Sequence, residues 1–317
     1  MKQRVKKNLK ILGLVLGVFA FSTIPITLGV IYSPTIYKIP NKSSYFTDDS
    51  SIPLSDYYDL YKQSLKYPDK AYALEVLCKR FSVLYQQHWY ETLSSGKWNV
   101  DKNGKLINAY CNSEQQALML YVNYWGDYWN YPLHQGKEPV SKVVSLNNKF
   151  FKNQHLEIRG SDYKFIESAL AKGKAPMNFV VYHGVEFMET EFYDQLKDYI
   201  IQNPDGSYNY QNVIGKTIQT QGFLSCTFNY SIAKRFSSGS DWMFGGGGLK
   251  PPLKESTVFK IYIEKGTPNV AYVSDVLLNN EYDDEAQTMI NINSRFKILN
   301  ITKDENGVNT WEIKMLK

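Results

Sequence analysis

The sequence predicts an α+β protein. Three observations carry this: apolar residues recur at helical spacing through the first half, short apolar runs separated by turn signals fill the second half, and strands and helices do not alternate regularly. The chain has 317 residues and is 43% apolar, ample for a buried core and unlike a disordered composition. The net charge is +5, but Lys2, Arg4, Lys6, Lys7 and Lys10 all fall in the first ten residues. The remainder is close to neutral, so charge gives no support to a nucleic-acid partner.

Those basic residues precede an uncharged run over 11–32. A basic start and an apolar core mark an export signal. The run is either a cleaved signal peptide, with Ala20-Phe21-Ser22 as the cut site, or an uncleaved anchor; Pro25 and the polar Ser22, Thr23 and Thr27 weigh against the anchor. Either way the body of the protein is expected to be secreted, or held at the outer face of the membrane, with contact to lipid only through this segment. Residues 33–53, rich in Pro, Lys, Ser and Asp, read as a linker.

Residues 54–111 form an N-terminal helical region. Leu60, Leu65, Tyr72, Val76, Phe81 and Leu84 mark its stripe, Pro68 divides two helices, and Asp69 caps the second. Ser113 then caps a helix carrying Ala117, Leu118 and Tyr121, with Glu114 as acidic support. The cluster Trp125, Tyr128, Trp129 and Tyr131 reads as a packed helix end, since no basic residues interleave for base stacking. A short amphipathic helix covers 162–172. His88, His134 and His155 have no partner spacing and read as ordinary histidines.

In the second half, 179–182 reads as a strand, 187–200 as a helix, 218–224 as a strand, and 231–236 as a helical turn with Ala233 and Phe236 facing in. Residues 258–264, 269–273, 287–292, 296–301 and 311–315 read as further strands. Gly245 to Gly248 lack a framing strand and helix and so do not make a dinucleotide fingerprint. Cys78, Cys111 and Cys226 show no metal-ligand spacing; no metal is expected, and they read as buried free thiols, with a Cys78–Cys111 bridge left open for an exported chain.

Three stretches carry chemistry, in this order: Val180-Val181-Tyr182-His183-Gly184-Val185, Gly222-Phe223-Leu224-Ser225-Cys226-Thr227, and the acidic turn Glu281-Tyr282-Asp283-Asp284-Glu285-Ala286-Gln287. Taken singly, His183 reads as a core histidine, Ser225 as a helix cap and Glu285 as a solvated acid. Their order resembles the ADP-ribosyltransferase exoenzyme family of bacterial toxins, over about residues 112–317. The first stretch is similar to the family's aromatic-Arg-Gly strand, and the second to its Gly-Phe-x-Ser-Thr-Ser strand. Ile158-Arg159-Gly160 resembles faintly the segment before the first strand.

The resemblance implies N-terminal helices followed by a pair of small, mostly antiparallel sheets forming an NAD cleft, in a domain over 112–317. It implies an exported NAD-dependent mono-ADP-ribosyltransferase that releases nicotinamide and modifies a protein target of a host cell. Ser225 would orient the ribose and the catalytic acid. His183 and Gly184, with Tyr182 and Thr227, would hold NAD, and Tyr282 and Asp283 would face the target. The sequence departs from the family twice: His183 replaces the arginine and lacks its bidentate fork, and the family's Glu-x-Glu or Gln-x-Glu is here Glu285-Ala286-Gln287. Spacing to Phe296 puts Gln287 in the slot of the essential glutamate; a turn shifted by two residues makes Glu285 the catalytic acid. A degenerate fold serving as a surface interaction protein, and an NAD glycohydrolase, are the alternatives.

Overall fold

The structure is a computed structural model that describes residues 52–85, 87–97, 102, 111–122, 126–146, 154–239, 255–274 and 287–317. The expected export segment and most of the linker, Trp125, the four-glycine run, and Tyr282, Asp283 and Glu285 lie outside the described residues. Among the described residues no helix is long and apolar enough to cross a membrane.

Helices come first. Asp59 accepts from the Lys62 amide at 2.9 Å and caps α1 (Leu60–Ser64). Asp69 accepts from the Tyr72 amide at 3.0 Å and starts α2 (Lys70–Tyr85), as its place after Pro68 predicts. The buried stripe of α2 runs through Ala73, Leu74, Leu77, Cys78 and Phe81 rather than through Tyr72, which is 43% exposed. Phe81 fixes the phase: its ring meets Phe179 at 5.2 Å and Phe228 at 5.0 Å. The short α3 (Gln87–Glu91) buries Trp89, whose indole donates to the Ala169 carbonyl. Ser113 caps α4 (Glu114–Leu120) by accepting from the Gln116 amide. The chain then forms α5 (Gly126–His134), in which Trp129 is buried while Tyr131 is exposed.

The antiparallel hairpin β1 (Lys142–Leu146) and β2 (Gln154–Ile158) leads to α6 (Tyr163–Ala171) and β3 (Phe179–Glu186). The stretch expected as one helix over 187–200 is instead a 3-10 turn, then α7 (Glu191–Leu196), then another 3-10 turn. Burying Phe187 against Trp311, with ring centroids 4.4 Å apart, takes the tighter turn. The hairpin β4 (Ile201–Gln202) and β5 (Tyr208–Asn209) is followed by β6 (Thr217–Gln219), β7 (Leu224–Thr227) and α8 (Tyr230–Ser237). The remaining strands are β8 (Ser256–Ile263), β9 (Val270–Tyr272), β10 (Gln287–Ile290), β11 (Arg295–Lys303) and β12 (Asn309–Met315).

One sheet holds eight of these strands in the order β6-β11-β12-β8-β3-β7-β10-β9. Among the described strands, only β12 and β8 run parallel. These eight strands form one large, mostly antiparallel ladder rather than two separate small sheets, and its two halves meet between β3 and β7. β3 is matched to β8 along its whole length, from Phe179↔Ile263 to Glu186↔Ser256, but meets β7 only at Tyr182↔Thr227. The two halves therefore diverge on either side of that single pair. Central position also explains β8: seven of its eight residues are buried, as in a strand covered on both faces. One core packs α4, α5 and α6 against the β7-β10-β9 half, with Leu118, Trp129, Ile166, Phe223 and Met289 buried in it. A second gathers Tyr57, Val180, Tyr182, Ala233, Val258 and Tyr262. The three cysteines are free and buried, and burial pushes each thiol well above its ordinary range.

Candidate active site

The site forms where the two halves part. The divergence of β3 and β7, the first residue of β10 and the cover of α8 enclose a cavity of about 160 Å³. It is lined by Tyr182, His183, Gly184, Ser225, Thr227 and Gln287, together with Phe236 from α8. The structure thus brings together all six described residues that the sequence singles out. Arg159 is elsewhere: it pairs with Asp162 at 3.1 Å and its guanidinium donates to the Cys111 carbonyl.

Each side chain has a definite anchor. His183 Nδ1 lies 2.8 Å from the backbone carbonyl of Ser225, so that nitrogen carries the proton and donates. Its ring stacks parallel to Phe259, 4° from coplanar. Burial drives its pKa down to about 4; the Ser225 carbonyl opposes this and the field of His134 adds to it. The ring is therefore neutral near pH 7, with Nε2 bearing a lone pair. An unfolded histidine titrates near 6.5, so His183 adds stability in full above about pH 6.5 and loses it as pH falls through about 4. The expected loss is on the order of 2–3 kcal/mol. Urea midpoints at pH 7.5, 5.5 and 4.5 check this: His183→Gln should flatten the fall that the wild type shows across that window.

Gly184 is small for packing. A Cβ there would sit 1.8 Å from the Ala233 carbonyl oxygen, so the glycine lets α8 close on β3. Tyr182 donates its hydroxyl to Asp59 Oδ2 at 2.6 Å and is ringed by Tyr61 and Tyr230. That hydroxyl, raised far above its ordinary range by burial and by the Asp59 charge, ties the N-terminal helices to the cavity wall. Tyr182→Phe leaves the buried Asp59 carboxylate short of a donor and should cost about 1–3 kcal/mol in chemical unfolding. Thr227 Oγ1 accepts from the Asn229 amide at 2.8 Å. Gln287 stands opposite Thr227 on β10 and shares its face; its own amide donates to Ser274 Oγ.

Ser225 Oγ is 3.3 Å from the hydroxyl of Tyr121, a residue that the sequence marks only as helix core. Burial holds that phenol protonated, and its ring meets Phe223 edge-on at 5.6 Å. Phe236, expected to face in, lines the cavity but stays 45% exposed, while Ala233, three residues earlier on the same helix, is fully buried. Phe223, just before β7, is gripped by Asn130, whose side chain accepts from its N–H at 2.7 Å and donates to its carbonyl at 2.9 Å. His134, four residues on, reaches the same carbonyl with Nε2 at 3.2 Å. The i, i+4 spacing of Asn130 and His134 is the signal for this grip.

Among the described residues no group of three or more His, Cys, Asp or Glu side chains is placed to share a metal ion. The cavity is smaller than the ~300–1,000 Å³ of ordinary ligand pockets, room for part of a large ligand rather than the whole of one. A neutral imidazole, two hydroxyls and an amide are partners for sugar hydroxyls and a carboxamide.

The family of the chain follows from comparison with known proteins. It belongs to the ADP-ribosyltransferase exoenzyme family, whose model matches residues 95–316. Enzymes of this family use NAD as substrate and transfer ADP-ribose to proteins. Among solved structures, the chain is similar to Plx2a, an ADP-ribosyltransferase toxin from Paenibacillus larvae, with 14% identity over 77% of this chain and 96% of that one and a TM-score of 0.47. It is similar to an ADP-ribosyltransferase from Clostridium botulinum, at 18% identity over 76% and 94% of the two chains and a TM-score of 0.43. A third is exoenzyme S from Pseudomonas aeruginosa, in complex with human 14-3-3 protein beta and bound to Carba-NAD, at 18% identity over 63% and 72% with a TM-score of 0.39. Comparison with curated proteins gives no match.

Proposed function

We propose that the chain is an exported mono-ADP-ribosyltransferase that modifies a protein of a host cell. The observation that carries this reading is the gathering of His183, Gly184, Ser225, Thr227 and Gln287 around one cavity in a chain of this family. The basic start and uncharged run over 11–32 support export.

NAD supplies a glycosidic bond to a cationic nicotinamide, and cleavage of that bond leaves positive charge on the ribose. The chain's residues act as follows. His183 offers Nε2 as acceptor to a ribose hydroxyl, which a neutral ring does and an imidazolium does not. Ser225, its hydroxyl held by Tyr121, orients the same sugar and the acid. Gly184 brings backbone rather than side chain to the carboxamide. Glu285 supplies the negative charge that favours the transition state, and Gln287 a hydrogen bond from its neutral amide. Tyr282 and Asp283 face the target protein. The N-terminal helices over 54–111 cap the catalytic domain rather than forming a module of their own.

One observation favours a second reading: the cavity wall opposite Thr227 carries an amide, Gln287, and not a carboxylate. In that reading the fold binds a partner without turnover. Incubating the protein with adenylate-labelled NAD and a host-cell lysate separates the readings. Label on a discrete protein, lost in Ser225→Ala, is the expected result. Nicotinamide release without labelled protein points to a glycohydrolase, and neither product to the non-catalytic fold.

A further inference from the structure

Ser225 lies on a strand whose entry is held from outside the sheet. His134 sits at the end of α5 between that entry and α7. Its Nε2 is 3.2 Å from the Phe223 carbonyl and its Nδ1 is 2.8 Å from Glu191 Oε1. Each ring nitrogen thus meets an oxygen, which holds the ring in one orientation between β7 and α7. Glu191 is buried at 8% exposure, and it also accepts from Thr220 Oγ1 and the Gln221 amide. Burial opposes its ionisation, yet His134 and the amide donors outweigh burial and hold its carboxyl below the ordinary range. A Cβ at Gly222 would stand 2.6 Å from the His134 ring, so the ring occupies the place a side chain at 222 would take. Glu191 on α7 contacts His134 directly, and His183 on β3 lies within its field.

We propose that His134, held by Glu191, is a positioning residue: it fixes the Phe223 carbonyl and thereby sets the Ser225 side chain in the cavity two residues on. The proposal rests on the reading of Ser225 as part of the reaction site. His134 touches neither NAD nor the acceptor in this account. Its role is to give β7 one entry angle, sharing the Phe223 carbonyl with Asn130 while Glu191 secures the ring from behind. The field of His134 also helps to keep His183 neutral.

The test compares the wild-type protein with His134→Ala and Glu191→Gln, the latter keeping shape and an acceptor while removing the charge. Steady-state nicotinamide release is followed from pH 5.5 to 8.5, together with amide hydrogen exchange of residues 221–227. The expected result is a fall in kcat of at least about tenfold in both variants, with the KM for NAD within about threefold of wild type. Exchange should quicken over 221–227 while β8, β11 and β12 keep their protection. The proposal is overturned by kcat within twofold of wild type or by a loss of protection spread evenly through the sheet. If the wild type itself releases no nicotinamide, the reading of Ser225 fails, and the exchange over 221–227 alone decides whether His134 holds the strand: unchanged exchange overturns it.

Discussion

Replacing Gly184 with alanine is expected to cost about 3 kcal/mol or more of stability. The added methyl would stand 1.8 Å from the Ala233 oxygen, 2.7 Å from its carbonyl carbon and 2.9 Å from the Ser237 nitrogen. All three obstacles are backbone of α8, so no rotamer change relieves them. The helix must move away from β3, and it packs there through Ala233, which is fully buried. That movement loosens the Val180, Tyr182 and Val258 core and opens the cavity on its α8 side. Urea unfolding of Gly184→Ala against wild type measures the cost. A midpoint shift worth less than about 1 kcal/mol would mean that α8 does not close on β3 as described.

The largest effect on activity is expected at Glu285. Positive charge grows on the ribose as the nicotinamide bond breaks, and a carboxylate acts on that charge far more strongly than a neutral amide does. Glu285→Ala should therefore lower the rate of nicotinamide release at saturating NAD by about 10²–10³-fold. Gln287→Ala removes a hydrogen bond and no charge, and should cost roughly tenfold or less. Initial rates for the two variants decide the register of the Glu285-Ala286-Gln287 turn. A larger loss in Gln287→Ala would place the neutral amide in the essential slot and move the account toward a weakened or degenerate enzyme.

What is legible in the sequence is what local chemistry writes. Asp69 and Ser113 cap their helices because a short oxygen side chain satisfies a free amide two or three residues away. The apolar runs ending in Tyr182-His183-Gly184 and Leu224-Ser225 mark strands whose polar ends meet at a cavity. The phase of α2 is not legible, since it depends on Phe81 finding Phe179 and Phe228, residues from distant parts of the chain. The same is true of Phe187, whose burial on Trp311 breaks the expected helix over 187–200. His134 reads as ordinary because its partners, Glu191 and Phe223, are 57 and 89 residues away. Asp59 meets Tyr182 across 123 residues, a pairing that only the fold reveals. The need for a glycine at 184 to admit α8 is likewise not legible, since Ala233 lies 49 residues away.

The central claim is that this cavity turns over NAD, and the release of nicotinamide by the wild-type protein tests it most directly. The assay uses nicotinamide-labelled NAD at neutral pH, with NAD binding followed in parallel by calorimetry. The account predicts release that depends on enzyme concentration, is abolished by Ser225→Ala, and is accompanied by measurable binding. No release and no heat of binding from a folded wild-type protein would contradict it and leave a fold reused for interaction.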